Sequence, residues 1–242
     1  YLSRDGMRRT APGGPGKPRT ILSSGHQGKP RTKLSTTPLR DQRIPTMVAS
    51  RSARRSRKDV VRGKRQLRIR LFRQLKTQTK EDRRRKSEAI WRKLSRLAVF
   101  RAAKTVVCYV ALPYEVETRQ WIEQMLEQDK RVIVPRVQGD DLLLSELHDL
   151  KADLAPGAFR VWEPTPEATR PVHLAELDLV VVPGVAFDHE GHRLGHGRGD
   201  LDRFLARRPD TTPTVGVCFD FQLLDRLPTS PHDQTVQTVL SA

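Results

Sequence analysis

The sequence predicts an α/β protein: a three-layer fold with a mostly parallel sheet flanked by helices, preceded by a basic extension that is expected to be disordered. Three observations predict it. Short β-rich apolar runs alternate with segments of helical periodicity, the pattern that builds a parallel sheet covered on both faces. The most apolar run, Leu179-Val-Val-Val182, has no polar residue, as a strand buried on both faces requires. The charge also breaks sharply, with a net +13 on residues 1–63 and only +4 on residues 64–242.

Residues 1–63 hold six prolines and seven glycines, and their only aromatic is Tyr1. Such a segment cannot bury enough apolar surface to offset the entropy of ordering. It is expected to be a basic low-complexity extension, with one globular domain over 64–242. Two uses fit its composition. Arg, Ser and Thr without many acids suit an organelle transit segment, which would place the chain in a mitochondrion rather than the cytoplasm. Alternatively, the cations could neutralise phosphates of an RNA or a ribonucleoprotein, releasing counterions. No apolar run reaches the ~20 residues of a membrane-spanning helix, so a helical membrane protein is excluded. The two cysteines, Cys108 and Cys218, lie inside apolar runs and read as core thiols, not a disulfide framework.

The elements follow in order. Residues 64–76 place Leu67, Leu71, Phe72 and Leu75 at helical spacing. Thr79 offers an N-cap, with Asp82 three residues on, for a helix running to about residue 97 with Ile90, Leu94 and Leu97 on one face. Residues 105–112 read as a buried strand. Thr118 is expected to cap a helix carrying Trp121, Ile122, Met125 and Leu126. Strands are expected at 131–137, 177–186 and 214–219, with a short helix at 201–208. No internal repeat is visible.

The stretch most suggestive of a site is Pro183-Gly-Val-Ala-Phe-Asp-His-Glu-Gly-His-Arg-Leu-Gly-His-Gly-Arg-Gly-Asp-Leu-Asp-Arg-Phe-Leu205. A buried strand ends at Pro183-Gly184, and a polar loop follows with Gly195, Gly197 and Gly199 at alternate positions. Glycines so spaced let backbone amides approach a ligand, and a helix N-terminus favours anions. Arg193 and Arg198 add positive charge. Neither the P-loop ending nor the full dinucleotide fingerprint is present, so by itself the loop is equally a phosphate site or a plain surface loop. His189, His192 and His196 suggest a metal by number, but the glycine content argues against the helix that would present them together.

The ordered blocks of this chain resemble the 5-formyltetrahydrofolate cyclo-ligase (methenyltetrahydrofolate synthetase) family over about 64–240. Lys64-Arg-Gln-Leu-Arg68 is similar to the family's Lys-x-x-Leu-Arg. Tyr109-Val-Ala-Leu-Pro-Tyr-Glu-Val-Glu-Thr118 resembles its strand followed by Glu-(Val/Ile)-(Asp/Glu)-Thr, and Lys130-Arg-Val-Ile-Val-Pro-Arg136 its lysine–strand–Pro-Arg element. The stretch from Pro183 to Leu205 resembles its glycine-loop signature, and residues 228–240 its last block. The resemblance implies a three-layer α/β fold and an ATP- and Mg²⁺-dependent reaction. In that reaction the γ-phosphoryl of ATP passes to the formyl oxygen of 5-formyltetrahydrofolate, N10 attacks the activated carbon, and phosphate leaves to give 5,10-methenyltetrahydrofolate.

By the same resemblance, Lys64, Arg68, Arg193, Leu194, Gly195, His196, Gly197, Arg198 and Gly199 fall at ATP-binding positions. Val110, Glu115 and Asp200 fall at folate-binding positions, and Asp202 and Asp233 at the metal carboxylates. The chain departs from the pattern in one loop. The family's Gly-Tyr-Tyr-Asp is here Gly199-Asp200-Leu201-Asp202, His196 stands where an arginine is usual, and Gln237 where an acid is expected. Two readings result: a working cyclo-ligase, or a catalytically impaired member recruited through residues 1–63 to an RNA–protein assembly such as a mitochondrial ribosome. Asp202→Ala is expected to weaken Mg·ATP binding and leave the fold intact.

Overall fold

A computed structural model describes residues 57–157 and 161–242. The sequence expectations for residues 1–56 lie outside the described residues. Helix α1 runs Arg57–Thr77, so residues 57–63 are helical and not part of a disordered extension. Composition had set the boundary at Gly63, but a helix once nucleated grows at little cost per residue. The acid Asp59 also sits in the first turn, where the helix dipole favours it. Leu71 and Leu75 anchor α1 in the core.

Helix α2 spans Lys80–Leu94, and Thr79 caps it by accepting the Asp82 N–H at 3.0 Å. It stops before residue 97 because Leu97 turns extended and opens a separate short helix, α3 (Ala98–Ala102), which buries Phe100. Strand β1 covers only Thr105–Val107. Beyond it the chain leaves the sheet, and Thr118 accounts for the departure. Its fully buried hydroxyl donates to the Tyr109 carbonyl at 2.6 Å and accepts the Ala111 N–H at 3.1 Å. The expected side-chain cap on helix α4 (Arg119–Glu127) is therefore absent; the hydroxyl is spent on shaping the 109–111 segment.

Strand β2 (Arg131–Gln138) turns at Gly139-Asp140 into the antiparallel β3 (Asp141–Leu147), which the sequence reading missed. Gly139, at φ +62°, is the first turn residue, as tight hairpins favour. A small hairpin follows, β4 (Leu154–Pro156) with β5 (Trp162–Pro164). The expected 177–186 strand divides at Pro183-Gly184 into β6 (Leu179–Val182) and β7 (Ala186–Asp188). Then come β8 (Arg193–Leu194), α5 (Asp200–Arg207), β9 (Thr214–Cys218), β10 (Leu223–Leu224) and β11 (Thr238–Ser241).

The main sheet has the order β11-β9-β6-β1-β2-β3, parallel except for β3. Alternate residues divide its two faces. Val106, Val132 and Val181 pack with the helices α2 to α4, while Val107, Ile133 and Val182 pack with Phe204 and Leu205 of α5. This is the covered sheet expected from the sequence. Cys108 and Cys218 fall in different core clusters, and burial pushes both thiols up, Cys218 to about 12.

Chain order moves from β1 out to β2 and β3, then back across β1 to β6. The switch lies between β1 and β6, and ligands in open α/β sheets bind outside the strand carboxyl ends at such a point. The ring of Phe187 packs against two glycines. A Cβ on Gly216 would stand 2.5 Å from Phe187 Cε1, and one on Gly184 2.7 Å from Cε2. Gly216→Ala is expected to destabilise the chain by about 1–3 kcal/mol through overpacking. A thermal melt reads this, and an unchanged melting temperature would mean the ring moves aside freely.

Candidate active site

The segments leaving β1 and β6 form the walls of a cleft of about 620 Å³. Every candidate residue from the sequence lines it: Lys64 and Arg68 from α1, Val110 and Glu115 after β1, the loop 193–199, Asp200 and Asp202 of α5, and Asp233.

Lys64 and Arg68 are one helical turn apart, so they share a face of α1. Lys64 Nζ donates to Asp233 Oδ1 at 2.6 Å and to Ser230 Oγ at 3.0 Å. Arg68 Nε donates to the Gly195 carbonyl at 2.8 Å, which ties α1 to the glycine loop. Within the loop, Gly197 and Gly199 hold φ of +108° and +74°, values that L side chains rarely adopt. Gly199 also stands at the N-cap of α5, where the Leu201 N–H donates to Asp200 Oδ1 at 2.8 Å.

Arg193 lies deeper than a surface loop would place it. Its side chain is 3% exposed, and Nη2 meets Asp202 Oδ1 at 2.9 Å. Gly195 makes the room, since a Cβ there would stand 2.5 Å from Arg193 Nη1. Its Nε is buried without a hydrogen-bond partner among the described residues.

The other loop charges are also paired. Arg198 Nε meets Asp200 Oδ2 at 3.0 Å, so the acid that replaces an aromatic in the loop brings no net charge. His196 Nε2 lies 3.4 Å from Glu115 Oε1, and its ring packs 5.4 Å from Phe72. Burial pushes His196 below its ordinary value, and the Arg193 charge adds to that. Burial raises Glu115 to about 7, against the lowering effect of the Leu112 N–H it accepts at 2.9 Å. The cleft thus has one end where Lys64, Arg68 and Arg193 meet Asp202 and Asp233, and a drier end. Pro135, Val137 and Leu142 wall the dry end; they sit on strands the sequence reading gave only a packing role, or missed.

The three loop histidines do not converge. His192 Nδ1 is 3.1 Å from Asp188, His196 faces Glu115, and His189 borders a different small cavity. No group of three or more His, Cys, Asp or Glu side chains is placed to hold a metal among the described residues. Magnesium seldom needs such a cage, because one or two carboxylates plus substrate phosphates suffice. Asp202 and Asp233 fit that pattern. Both line the cleft, and the Gln234 N–H reaches Asp202 Oδ1 at 3.4 Å, which brings the 233–234 turn beside α5.

One structural acid escaped sequence reading. Asp188, fully buried, accepts the N–H groups of Glu190, His192 and Leu227 at 3.1, 2.9 and 3.0 Å. It fixes the start of the glycine loop. Its place after Phe187, at the end of a strand, was the available signal.

Fold and cleft together define a three-layer α/β protein with a glycine-rich loop beside an apolar, acid-lined pocket. A family model described as the 5-formyltetrahydrofolate cyclo-ligase family matches residues 60–242, and the chain belongs to that family. It is 31% identical over 184 residues to the 5-formyltetrahydrofolate cyclo-ligase of Mycolicibacterium smegmatis, covering 74% of this chain and 94% of that one. It is 29% identical over 188 residues to the Mus musculus protein of the same name, covering 74% and 93%. Among solved structures, the 5,10-methenyltetrahydrofolate synthetase of Aquifex aeolicus superposes with a TM-score of 0.66 at 35% identity, covering 74% of this chain and 89% of that one. The reading as a retired member in a ribonucleoprotein gains no support from these likenesses.

Proposed function

We propose that this chain is an ATP-dependent 5-formyltetrahydrofolate cyclo-ligase that forms 5,10-methenyltetrahydrofolate. The observation that carries the reading is convergence. Residues separated by up to 169 positions, Lys64 and Asp233, meet in the cleft that also holds the glycine loop and Glu115.

The roles follow from the chemistry of each group. Phosphoryl transfer needs cations and amides placed around the phosphates before the reaction. Lys64, Arg68 and the amides of 195–199 supply them, and Arg193 holds Asp202 in place. A bound Mg²⁺, held by Asp202 and Asp233, would neutralise charge on the phosphate oxygens. Val110 and the apolar wall take the flat face of the pterin, and Glu115 accepts hydrogen bonds from its ring N–H groups. The loop departures are compatible with this arrangement, since Asp200 is neutralised by Arg198 and His196 stays inside the site against Glu115.

The test is turnover. Full chain given 5-formyltetrahydrofolate and Mg·ATP is expected to produce methenyltetrahydrofolate, followed by its absorbance. Absence of product overturns the reading. Product from an Asp200→Tyr/Leu201→Tyr variant alone would place the defect in the loop and leave the rest of the cleft intact.

A further inference from the structure

The glycine loop sets His196 against Glu115, and we propose that His196 is a conditional cation, charged for the nucleotide when folate occupies Glu115. The two halves of the cleft are thereby coupled: folate tightens the hold on the phosphates, and the phosphates tighten the hold on folate. The proposal rests on the cyclo-ligase reading above and concerns regulation of that same site.

The contact belongs to this chain. His196 stands where the family usually has an arginine, whose charge is permanent, whereas an imidazole is charged only when protonated. His196 Nε2 lies 3.4 Å from Glu115 Oε1. The other carboxyl oxygen, Oε2, accepts the Leu112 N–H at 2.9 Å, so Oε1 is the one turned to the loop. The loop side is anchored as well. Arg68 holds the carbonyl of the preceding Gly195 at 2.8 Å, and the His196 ring rests 5.4 Å from Phe72. The separation from Glu115 is long for a hydrogen bond, as such contacts often are before a ligand arrives.

The surroundings decide where the proton rests. Burial opposes a proton on His196 most, Arg193 of the loop and Arg68 of α1 oppose it too, and Asp200 at the start of α5 favours it. Burial raises Glu115 to about 7. Somewhat below that pH the empty cleft therefore keeps a proton on Glu115 and none on His196 Nε2. Folate N–H donors at Glu115 favour its ionised form. The carboxyl O–H then breaks, and Nε2, free of a proton in the Nδ1–H tautomer, receives it. The net charge of the pair is unchanged, but a positive charge now lies in the loop between Gly195 and Gly197. Phosphates against that loop gain a charged donor, and by linkage they favour the same proton position.

Calorimetric titration of the full chain with the magnesium complex of β,γ-imido-ATP, which cannot pass on its γ-phosphoryl, tests this. Affinities are measured with and without saturating 5-formyltetrahydrofolate. At pH 6.5 the wild type is expected to bind the nucleotide about tenfold more tightly when folate is present. At pH 9 Glu115 has released its proton without folate, and the gain is expected to vanish. A merely structural contact would show no such pH dependence. His196→Gln is expected to lose the gain at both pH values. His196→Arg, with its permanent charge, is expected to bind the nucleotide tightly whether or not folate is present. No gain in the wild type at pH 6.5, or a gain that survives His196→Gln or pH 9, overturns the proposal and leaves the functional reading standing. Failure of both ligands to bind overturns the two together.

Discussion

Asp202→Asn is expected to lower turnover by about 10²–10³-fold and to lower the melting temperature by roughly 6–12 °C. The second effect adds a stability cost to the sequence expectation, in which the fold itself stays intact. Asp202 is the carboxylate partner of Arg193, whose side chain is 3% exposed. The asparagine keeps the shape and removes the charge, which leaves a buried guanidinium without a counterion. Breaking a buried pair from one side costs about 3–5 kcal/mol. The lower end applies, because Asp202 is 23% exposed and water can reach it. At about 2–4 °C per kcal/mol for a chain of this size, the shift follows. Thermal melts and steady-state rates on the same preparation separate the two effects. Arg193→Met combined with Asp202→Asn is expected to recover most of the melting temperature and none of the turnover. An unchanged melting temperature in the single variant would show that Arg193 needs no counterion, and unchanged turnover would remove Asp202 from the chemistry.

The same pairing runs through the cleft. Lys64 with Asp233, Arg193 with Asp202 and Arg198 with Asp200 each set a cation against a carboxylate. Those three cations are therefore each met by a carboxylate, while Arg68 donates to the Gly195 carbonyl. On the proposed reading, phosphates would compete for Lys64, and a divalent cation would be held by Asp202 and Asp233. This keeps those charged groups in a half-buried site at low cost, since they are paired before any ligand arrives.

Local pattern reveals some of this and hides the rest. The sheet was legible because Leu179-Val-Val-Val182 and Val132-Ile-Val134 are buried, and such strand cores read as unbroken apolar runs. The hairpin strand β3 was not, because its Leu142-Leu-Leu144 run has weak strand preference; only Gly139-Asp140 marked the turn. Thr118 was read as a cap, since a threonine before a helical stretch has that local use. Its actual partners, Tyr109 and Ala111, lie upstream across a loop. The cleft residues were found through the family's ordered blocks. No periodicity or spacing relates Lys64 to Asp233, and only the sheet's switch point brings α1, the glycine loop and the 233–234 turn together. The burial of Arg193 has a sequence cause, Gly195 two residues on, but a glycine that close to an arginine reads equally as an open loop.

Glu115→Gln is expected to raise the melting temperature at pH 8 by roughly 6–12 °C and to change it little at pH 4.5, while affinity for folate falls. The unfolded carboxyl titrates near 4.3, and burial raises the folded one to about 7. Between those values the folded chain holds a proton that the unfolded chain has released. Stability therefore declines as pH rises from about 4.5 to 7 and is level above that, a loss of about 3 kcal/mol. The neutral amide does not titrate and is spared the loss. His196 works in the opposite direction: its lowered value makes stability rise with pH below about 6.5. The substitution leaves His196 in place, so the wild-type-minus-variant difference across pH isolates Glu115. A difference that does not vary with pH would mean that the carboxylate titrates as it does in water, and so is not the anchor of a dry pocket. The free energy given up at neutral pH has a use if a ligand brings N–H donors to this oxygen pair. Added 5-formyltetrahydrofolate is accordingly expected to raise the melting temperature of the wild type at pH 8 more than that of Glu115→Gln. An equal rise in both would place the pterin elsewhere in the cleft.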